Sequence, residues 1–480
     1  MIFRKCAQKP VFQALNEFAN SKYCVALLSF LSLCSNLLGA ELIVYTLVFL
    51  FGVYFALFGR DLLPLAPAVM LMYVSPSVQN NPAMNADSIF YPKNGLWLLL
   101  VYIAIFFAVV FVRICLRYGL KKFFKAKRAF APALLALGAT FFLGGIGSDF
   151  FTRDFVLNMR YSALLFASLF LVYYVLSATV DFKRVPKEYF AWCGVFLSIT
   201  VALQVLSVYL TSGVIGENGQ IHRLNIYTGW GVYNNIACVI VMGIPSAFYL
   251  AAVRKKGYLY NILATCLYIA VIFSNSRNGM LMGLVVYALS ALCLLVARPQ
   301  KWKETFLLFG IYAAIVLGLL IFNWNGLATL FKELATIEFD DAGRFEDYIE
   351  GVEQFWDKPV FGNGFFACTA FKWGEIADQM TFLPKRWHNT YVQLLASCGL
   401  AGFVSYGVHR FQTVKAVWEK KTIEGIFVGL SVFTLAILSL LDCHFFNIGP
   451  GLCYSVYLLF LEVRSDDALP KAIKEYKKRG

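Results

Sequence analysis

Residues 229–303 read GWGVYNNIACVIVMGIPSAFYLAAVRKKGYLYNILATCLYIAVIFSNSRNGMLMGLVVYALSALCLLVARPQKWK. Three apolar runs, 229–252, 258–275 and 279–297, are separated by a basic corner at 254–256 and a polar corner at 274–278, and a second basic corner follows at 298–303. A helix of about 17–25 apolar residues crosses the hydrocarbon core of a bilayer. Basic residues gather in the inner connections of membrane proteins. The alternation of basic, polar and basic corners is therefore that of consecutive crossings. The same signature extends over the rest of the chain, giving further candidate spans at 23–40, 41–58, 62–78, 95–112, 129–148, 161–180, 189–211, 304–322, 389–408, 425–441 and 448–463. The fold class expected is an all-α polytopic membrane helix bundle of about fourteen transmembrane helices, within a range of 12–14. Residues 1–480 form a single membrane domain on this reading. The span at 62–78 holds Pro64, Pro67 and Pro76 and reads as a kinked or partial crossing.

Of the 480 residues, 60% are hydrophobic and 15% charged, a composition that excludes a soluble protein of this length. With the N-terminus inside, 31 of the 42 Lys and Arg residues fall in connections on the inner side and 11 outside. The net charge of +14 thus reads as orientation and contact with membrane lipid, and no nucleic-acid partner is expected. Residues 1–22 lead into an apolar span and read as a signal anchor, not a removable peptide. Most of the 12 cysteines, among them Cys24, Cys34, Cys238, Cys266 and Cys293, lie inside spans as small packing residues.

Three outer segments are long: 75–94, 212–228 and, above all, 323–388, the large outer loop. The first reads as turns. Within the third, DAGRFEDYIEGVEQFWD at 341–357 sets Phe345, Tyr348, Ile349, Val352, Phe355 and Trp356 against Glu346, Asp347, Glu350 and Glu353. That is an amphipathic helix lying on the bundle, capped by Asp341 and stopped by Pro359. The FGNGFF that follows supplies glycine for a tight turn or for close approach of the backbone to a ligand.

Chemistry is sought at the outer boundary, where ionisable residues are expensive and face a cavity, a partner or a ligand. Arg277 lies there in FSNSRNG, Arg223 in IHRLNIYTGWGVYNN and Arg344 in DAGRFEDY. Guanidinium groups meet phosphate oxygens through paired hydrogen bonds, so three converging arginines would suit a diphosphate. Snorkelling of Arg277 and an i,i+3 ion pair of Arg344 with Asp347 are the structural alternatives. His388 opens WHNTYVQLLASCGLAGF where the loop re-enters the membrane; it is either a helix-end residue or a proton acceptor. His222 and His444 are weaker candidates of the same kind, and His409 falls on the basic inner side. Asp340 and Asp341 have no third ligand at metal spacing, so no metal is expected.

Taken together, four motifs in order resemble the O-antigen ligase family of bacterial membrane glycosyltransferases, over residues 220–408. RLNIYTGWGVYNNIA resembles its arginine, glycine and paired-asparagine segment, with Tyr233-Asn234-Asn235 standing where many members have Asn-Pro-Asn. FSNSRNG resembles its Ser-Arg-x-Gly junction, RFEDYIEGVEQFWDKPVFGNGF its loop helix and Gly-x-Gly turn, and WHNTYVQLLASCGLAGF its His-Asn segment. The resemblance implies transfer of a glycan from an undecaprenyl diphosphate carrier to the hydroxyl of a glycolipid, glycan or other acceptor, at the outer face of the bacterial cytoplasmic membrane, with no cofactor. It implies that Arg223 and Arg277, with Arg344, hold the diphosphate and that His388 is the base. Trp356, Trp373 and Trp387 are possible sugar contacts, with packing on the bundle as the alternative. A repeat-unit polymerase of the same family and a flippase of lipid-linked sugars remain open.

The charge distribution makes a topological prediction. On a cysteine-depleted background, an impermeant thiol reagent added from outside should label a cysteine placed at Glu375 and miss one at Lys125; the reverse pattern refutes the assigned orientation.

Overall fold

The computed structural model describes residues 9–38, 41–72, 96–146, 153–211, 214–215, 221–222, 225–228, 231–322, 344–366 and 386–463. In chain order the helices are α1 (Pro10–Ala19), α2 (Lys22–Leu38), α3 (Glu41–Phe58), α4 (Leu65–Met72), α5 (Leu96–Arg113), α6 (Leu120–Phe124), α7 (Ala131–Gly145), α8 (Arg153–Phe166), α9 (Val172–Thr179) and α10 (Tyr189–Thr211). A two-stranded hairpin, β1 (Tyr227–Thr228) with β2 (Gly231–Val232), leads into α11 (Tyr233–Val253). There follow α12 (Gly257–Phe273), α13 (Arg277–Ala297), α14 (Trp302–Phe322), α15 (Arg344–Asp357), α16 (Thr390–Lys420), α17 (Ile423–Leu438) and α18 (Ile448–Glu462).

The protein is an all-α, multi-pass membrane protein. Helix α11 is apolar on every face and 18 of its 21 residues are buried, as expected of a helix surrounded by others. It packs on α10, α12, α13 and α17. Small residues allow these backbones to approach, since helices in lipid gain little from apolarity alone. Gly243 of α11, for instance, faces Ser198 and the Gly194 carbonyl of α10.

Six helical stretches are long and apolar enough to cross a membrane unaided: Val101–Tyr118, Phe155–Thr179, Tyr189–Leu210, Tyr233–Val253, Arg277–Ala297 and Thr390–Lys420. The pair Pro10–Ala19 and Lys22–Ser35, bent by 69°, makes a seventh if counted as one. The number fourteen is thus not reached by full-length helices among the described residues. Five further apolar helices among these residues are shorter, including α17 and α18, which meet inside the bundle. Between α17 and α18 the junction 439–447, with a 3-10 turn at His444–Phe446, buries Asp442, Cys443, His444, Phe445 and Phe446, so its backbone groups are met by protein. The span expected at 62–78 contains α4 among its described residues; its remainder from 73 lies outside them. Helix α1 was not foreseen.

The basic connections share one face. Arg113 donates to the carbonyls of Phe55 and Ala56, 2.9 Å each, and Arg117 to that of Gly59. Tyr118 reaches the Thr179 carbonyl, and Arg128 stacks over Phe182 at 5.1 Å. Arg254 pairs with Glu188, Lys301 donates to the carbonyls of Ala251 and Arg254, and Lys420 to those of Phe460 and Val463. Arg113, Arg117, Lys301 and Lys420 tie their connections to carbonyls at the ends of neighbouring helices, where the last turn leaves acceptors open. His409 does not belong to this face. It is buried inside α16, its Nε2 2.7 Å from the Tyr454 hydroxyl, because the helix continues eleven residues beyond it.

Helix α16 is broken at Gly399, whose φ of 62° and ψ of −163° only glycine adopts readily. The groups freed there are paired with residues 359–364. Leu400 and Ala401 donate to Pro359 and Val360 at 2.8 and 3.0 Å, while Asn363 and Gly364 donate to Ala396 and Ser397 at 2.9 and 3.0 Å. The glycines of FGNGFF therefore serve close approach to a membrane helix. A Cβ at Gly399 would stand 2.5 Å from the Val360 carbonyl. Gly399→Ala should cost on the order of 1–3 kcal/mol from backbone strain alone, read as a lower melting temperature in detergent. Gly407→Ala, in the same helix with open space around it, should be neutral or slightly stabilising; equal behaviour of the two variants would refute the docked break.

Candidate functional site

His388 is the residue from which α16 starts. Its φ of 49° is unusual for a non-glycine residue, and the surrounding bonds hold it there. Asn389 caps α16, its Oδ1 accepting from the amides of Tyr391 and Val392, and its Nδ2 donates to the Leu440 carbonyl at 2.9 Å. Thr390 donates its amide to the Ser439 carbonyl and its hydroxyl to that of Asp442. From the loop helix α15, the Tyr348 hydroxyl donates to the His388 carbonyl at 3.3 Å. Three bonds thus fasten the His-Asn-Thr step to the α17–α18 junction.

What this brings to His388 is Asp442. Nδ1 lies 3.6 Å from Oδ1, an ion-pair distance longer than a hydrogen bond. The side chain of Asp442 is 7% exposed and that of His388 36%. Since Nδ1 is itself buried, that exposure belongs to the rest of the ring. The carboxylate is held by two donors: Asn234 Nδ2 to Oδ2 at 2.8 Å and the Cys443 amide to Oδ1 at 2.7 Å. His444 Nε2 stands 3.9 Å from Oδ2. Burial by itself would raise the Asp442 carboxyl, but the imidazoles of His444 and His388 and the Cys443 amide hold it well below the usual carboxylate range. It is an anion at working pH.

Asn234 comes from the first turn of α11, and its Oδ1 accepts from Ser276 Oγ at 2.7 Å. Ser276 is the N-cap of α13, accepting from the Gly279 amide at 3.0 Å. The FSNSRNG corner is thus a helix stop, a left-handed Asn275 with φ of 55°, a cap and a restart. Arg277 is the first residue of α13 and exposed, between Ser276 and Asn278. Asn278 donates to the Leu438 carbonyl at 3.0 Å, and its Nδ2 lies 3.4 Å from His444 Nε2. Asn235 accepts from Asn447 at 2.7 Å. Both members of the paired asparagines therefore grip the 439–447 junction.

The site unites the paired-asparagine segment, the Ser-Arg corner and the His-Asn step, and it places Arg277 beside two residues of the network. Arg223 and Trp373 lie outside the described residues, as do Asp340, Asp341 and most of 323–388. Arg344 is the first residue of α15; its side chain lies outside the described set. Trp387 is 2% exposed, its ring against Gly351, so it packs and offers no open face to a sugar. Trp356 is 70% exposed. His222 is exposed beside the hairpin, donating its amide to the Val214 carbonyl. Asp442 is absent from the sequence-based candidates. The signal was an acid in LSLLDCHFFN, between two apolar runs where an unpaired carboxylate is costly.

Residues 262–407, 146 of the 480, match the family model described as O-antigen ligase, and no curated protein matches the chain. The match supports assignment to the O-antigen ligase family of membrane ligases and polymerases. It includes Arg277, Arg344 and His388 and leaves Asn234 and Asp442 outside.

Asp442 also sets a pH dependence. With its folded-state carboxyl below the ordinary value of about 4, the anion contributes stability that is complete above that value and is lost as pH falls through the lowered one. Asparagine cannot titrate. The melting temperature of the wild type should therefore drop towards that of Asp442→Asn as pH is taken below about 4; a gap independent of pH would show that the carboxylate contributes nothing as an anion.

Proposed function

We propose that the protein is a membrane glycosyltransferase of the O-antigen ligase type, which moves a glycan from an undecaprenyl diphosphate carrier to an acceptor hydroxyl at the outer face of the bacterial cytoplasmic membrane. The face joined by the basic connections is the cytoplasmic one, by the rule that places Lys and Arg inside. The His388–Asp442 pair lies at the opposite end of the bundle. That pair is the observation that carries the proposal, because a half-exposed imidazole backed by a buried carboxylate is built to take a proton and to stabilise the imidazolium formed.

The acceptor hydroxyl gives its proton to the exposed edge of His388 as its oxygen attacks the anomeric carbon. The bond from that carbon to the diphosphate oxygen breaks, and undecaprenyl diphosphate leaves with the electron pair. A single displacement inverts the anomeric centre. Arg223 and Arg277, with Arg344, hold the diphosphate and compensate its charge as it departs, an effect that is large at a low-dielectric boundary. No metal is called for in this scheme. Support against a flippase comes from the placement of His388, Asp442 and Arg277 at one end of the bundle, where a transport path would need such groups along its length. A polymerase would use the same donor site with a second lipid-linked repeat unit as acceptor.

The test is incubation of the purified protein, in lipid, with a polyprenyl diphosphate glycan and candidate acceptors. A single added glycan identifies a ligase and a ladder of repeats a polymerase; no transfer to any acceptor would overturn both. His388→Ala should retain donor binding and lose transfer by about 10²–10⁴-fold, the usual contribution of a positioned base, and wild-type transfer should fall at acid pH. Arg277→Ala should lose donor binding, with lysine a poor rescue because it makes no paired hydrogen bond. Full transfer by His388→Ala, or loss of donor binding in that variant, removes its role as base.

A further inference from the structure

Helix α15 has three faces. At 100° per residue, Phe345, Ile349, Val352 and Trp356 project within about 60° of one another, and all four are exposed, Phe345 at 63% and Trp356 at 70%. Tyr348, Gly351 and Phe355 lie about a quarter turn to one side and face the bundle. Gly351 is buried against Val392 and the Trp387 ring, and Tyr348 bonds to the His388 carbonyl. Glu346, Glu353 and Asp357 lie about a quarter turn to the other side and are exposed. The apolar sector is thus wider than the bundle covers, and the uncovered part is a stripe along the helix between its protein side and its acidic side.

What covers that stripe follows from the chain on which it continues. Beyond α15 the exposed apolar line runs on through Val360 and Phe361. These residues belong to the segment whose backbone is paired with the break in α16, Val360 accepting from Ala401 at 3.0 Å. On α16 the next exposed side chains are Leu400, Phe403 and Val404, part of a span long and apolar enough to face lipid. The stripe is therefore continuous with a membrane-facing surface, through hydrogen bonds that fix the two together. Its acidic flank argues against attraction to anionic headgroups and for anchoring by apolar burial, with Trp356 at the level where indole prefers to sit.

We propose that α15 is seated in the bilayer interface, its Phe345–Trp356 stripe in the leaflet on the side of His388, its Gly351 face on the bundle and its acids in water. The helix that bonds to the His388 carbonyl is then held by lipid as well as by protein, and the site opens beside the leaflet. This holds whichever group is transferred.

The experiment uses the full chain in phosphatidylethanolamine–phosphatidylglycerol nanodiscs, on a background without reactive cysteines. Nitroxides are placed singly through Phe345→Cys, Ile349→Cys, Trp356→Cys, Glu346→Cys and Glu353→Cys, and collision with oxygen, which concentrates in lipid, is compared with collision with an aqueous nickel chelate. The ratio of oxygen to nickel accessibility should be several-fold higher at the three stripe positions than at the two acidic ones. Equal ratios would show a stripe in water. Low accessibility to both agents would show a stripe covered by protein, a second copy or another chain. Either result overturns the proposal.

Discussion

A carboxylate buried at one end of a membrane bundle must be paired or hydrogen-bonded, because leaving it bare costs several kcal/mol. Asp442 meets that requirement with partners from two distant parts of the chain and from its own two following residues. The Asn234 amide, the Cys443 amide and the imidazoles of His388 and His444 all converge on it. Ser276 and Asn278 then fix the partners themselves. The relative positions of α11, α13, α16 and the α17–α18 junction are thereby set at one end of the bundle by one charge. The bonds are directional where packing of apolar side chains in lipid is not, so the geometry around His388 owes more to this network than to the bulk of the helices.

The same logic accounts for the irregular backbone nearby. Helices that stop within the membrane leave carbonyls and amides that water cannot reach. Here these groups are met by protein: the broken turn of α16 by residues 359–364, the 439–447 junction by Asn389 and Thr390, and the corner before α13 by its own serine cap. The 439–447 junction and the corner before α13 carry side chains of the candidate site, and the break in α16 seats the segment that follows the loop helix. Regular helix would have carried those side chains into lipid or into the core.

The sequence made the fold class readable, since apolar length is a local property, and its Lys and Arg marked the connections that gather at one end of the bundle. It also made the His-Asn and Ser-Arg corners readable, as polar breaks in apolar text. Asp442 was not readable as the partner of His388, because 54 residues separate them and nothing local says which outer end meets which. The span count is less legible for a related reason: hydropathy registers an apolar run and not the depth at which its helix stops, so 425–441 and 448–463 read as plain crossings, and the burial of the turn between them does not show in the sequence. The amphipathic pattern of 341–357 gave the helix but not the division of its apolar side between protein and lipid, which depends on how closely Gly351 lets Trp387 approach.

The chain on either side of residues 367–385 is fastened to the bundle. On one side the Phe365 amide donates to Asn158 Oδ1 at 2.6 Å, and on the other the Trp387 amide donates to Gln393 Oε1 at 3.1 Å. Both anchors are buried side chains of membrane helices. A change in length or composition between them is therefore absorbed before it reaches His388. The stretch between the anchors is thus mechanically insulated from the imidazole, and its length and composition can drift without shifting the ring that Asp442 backs.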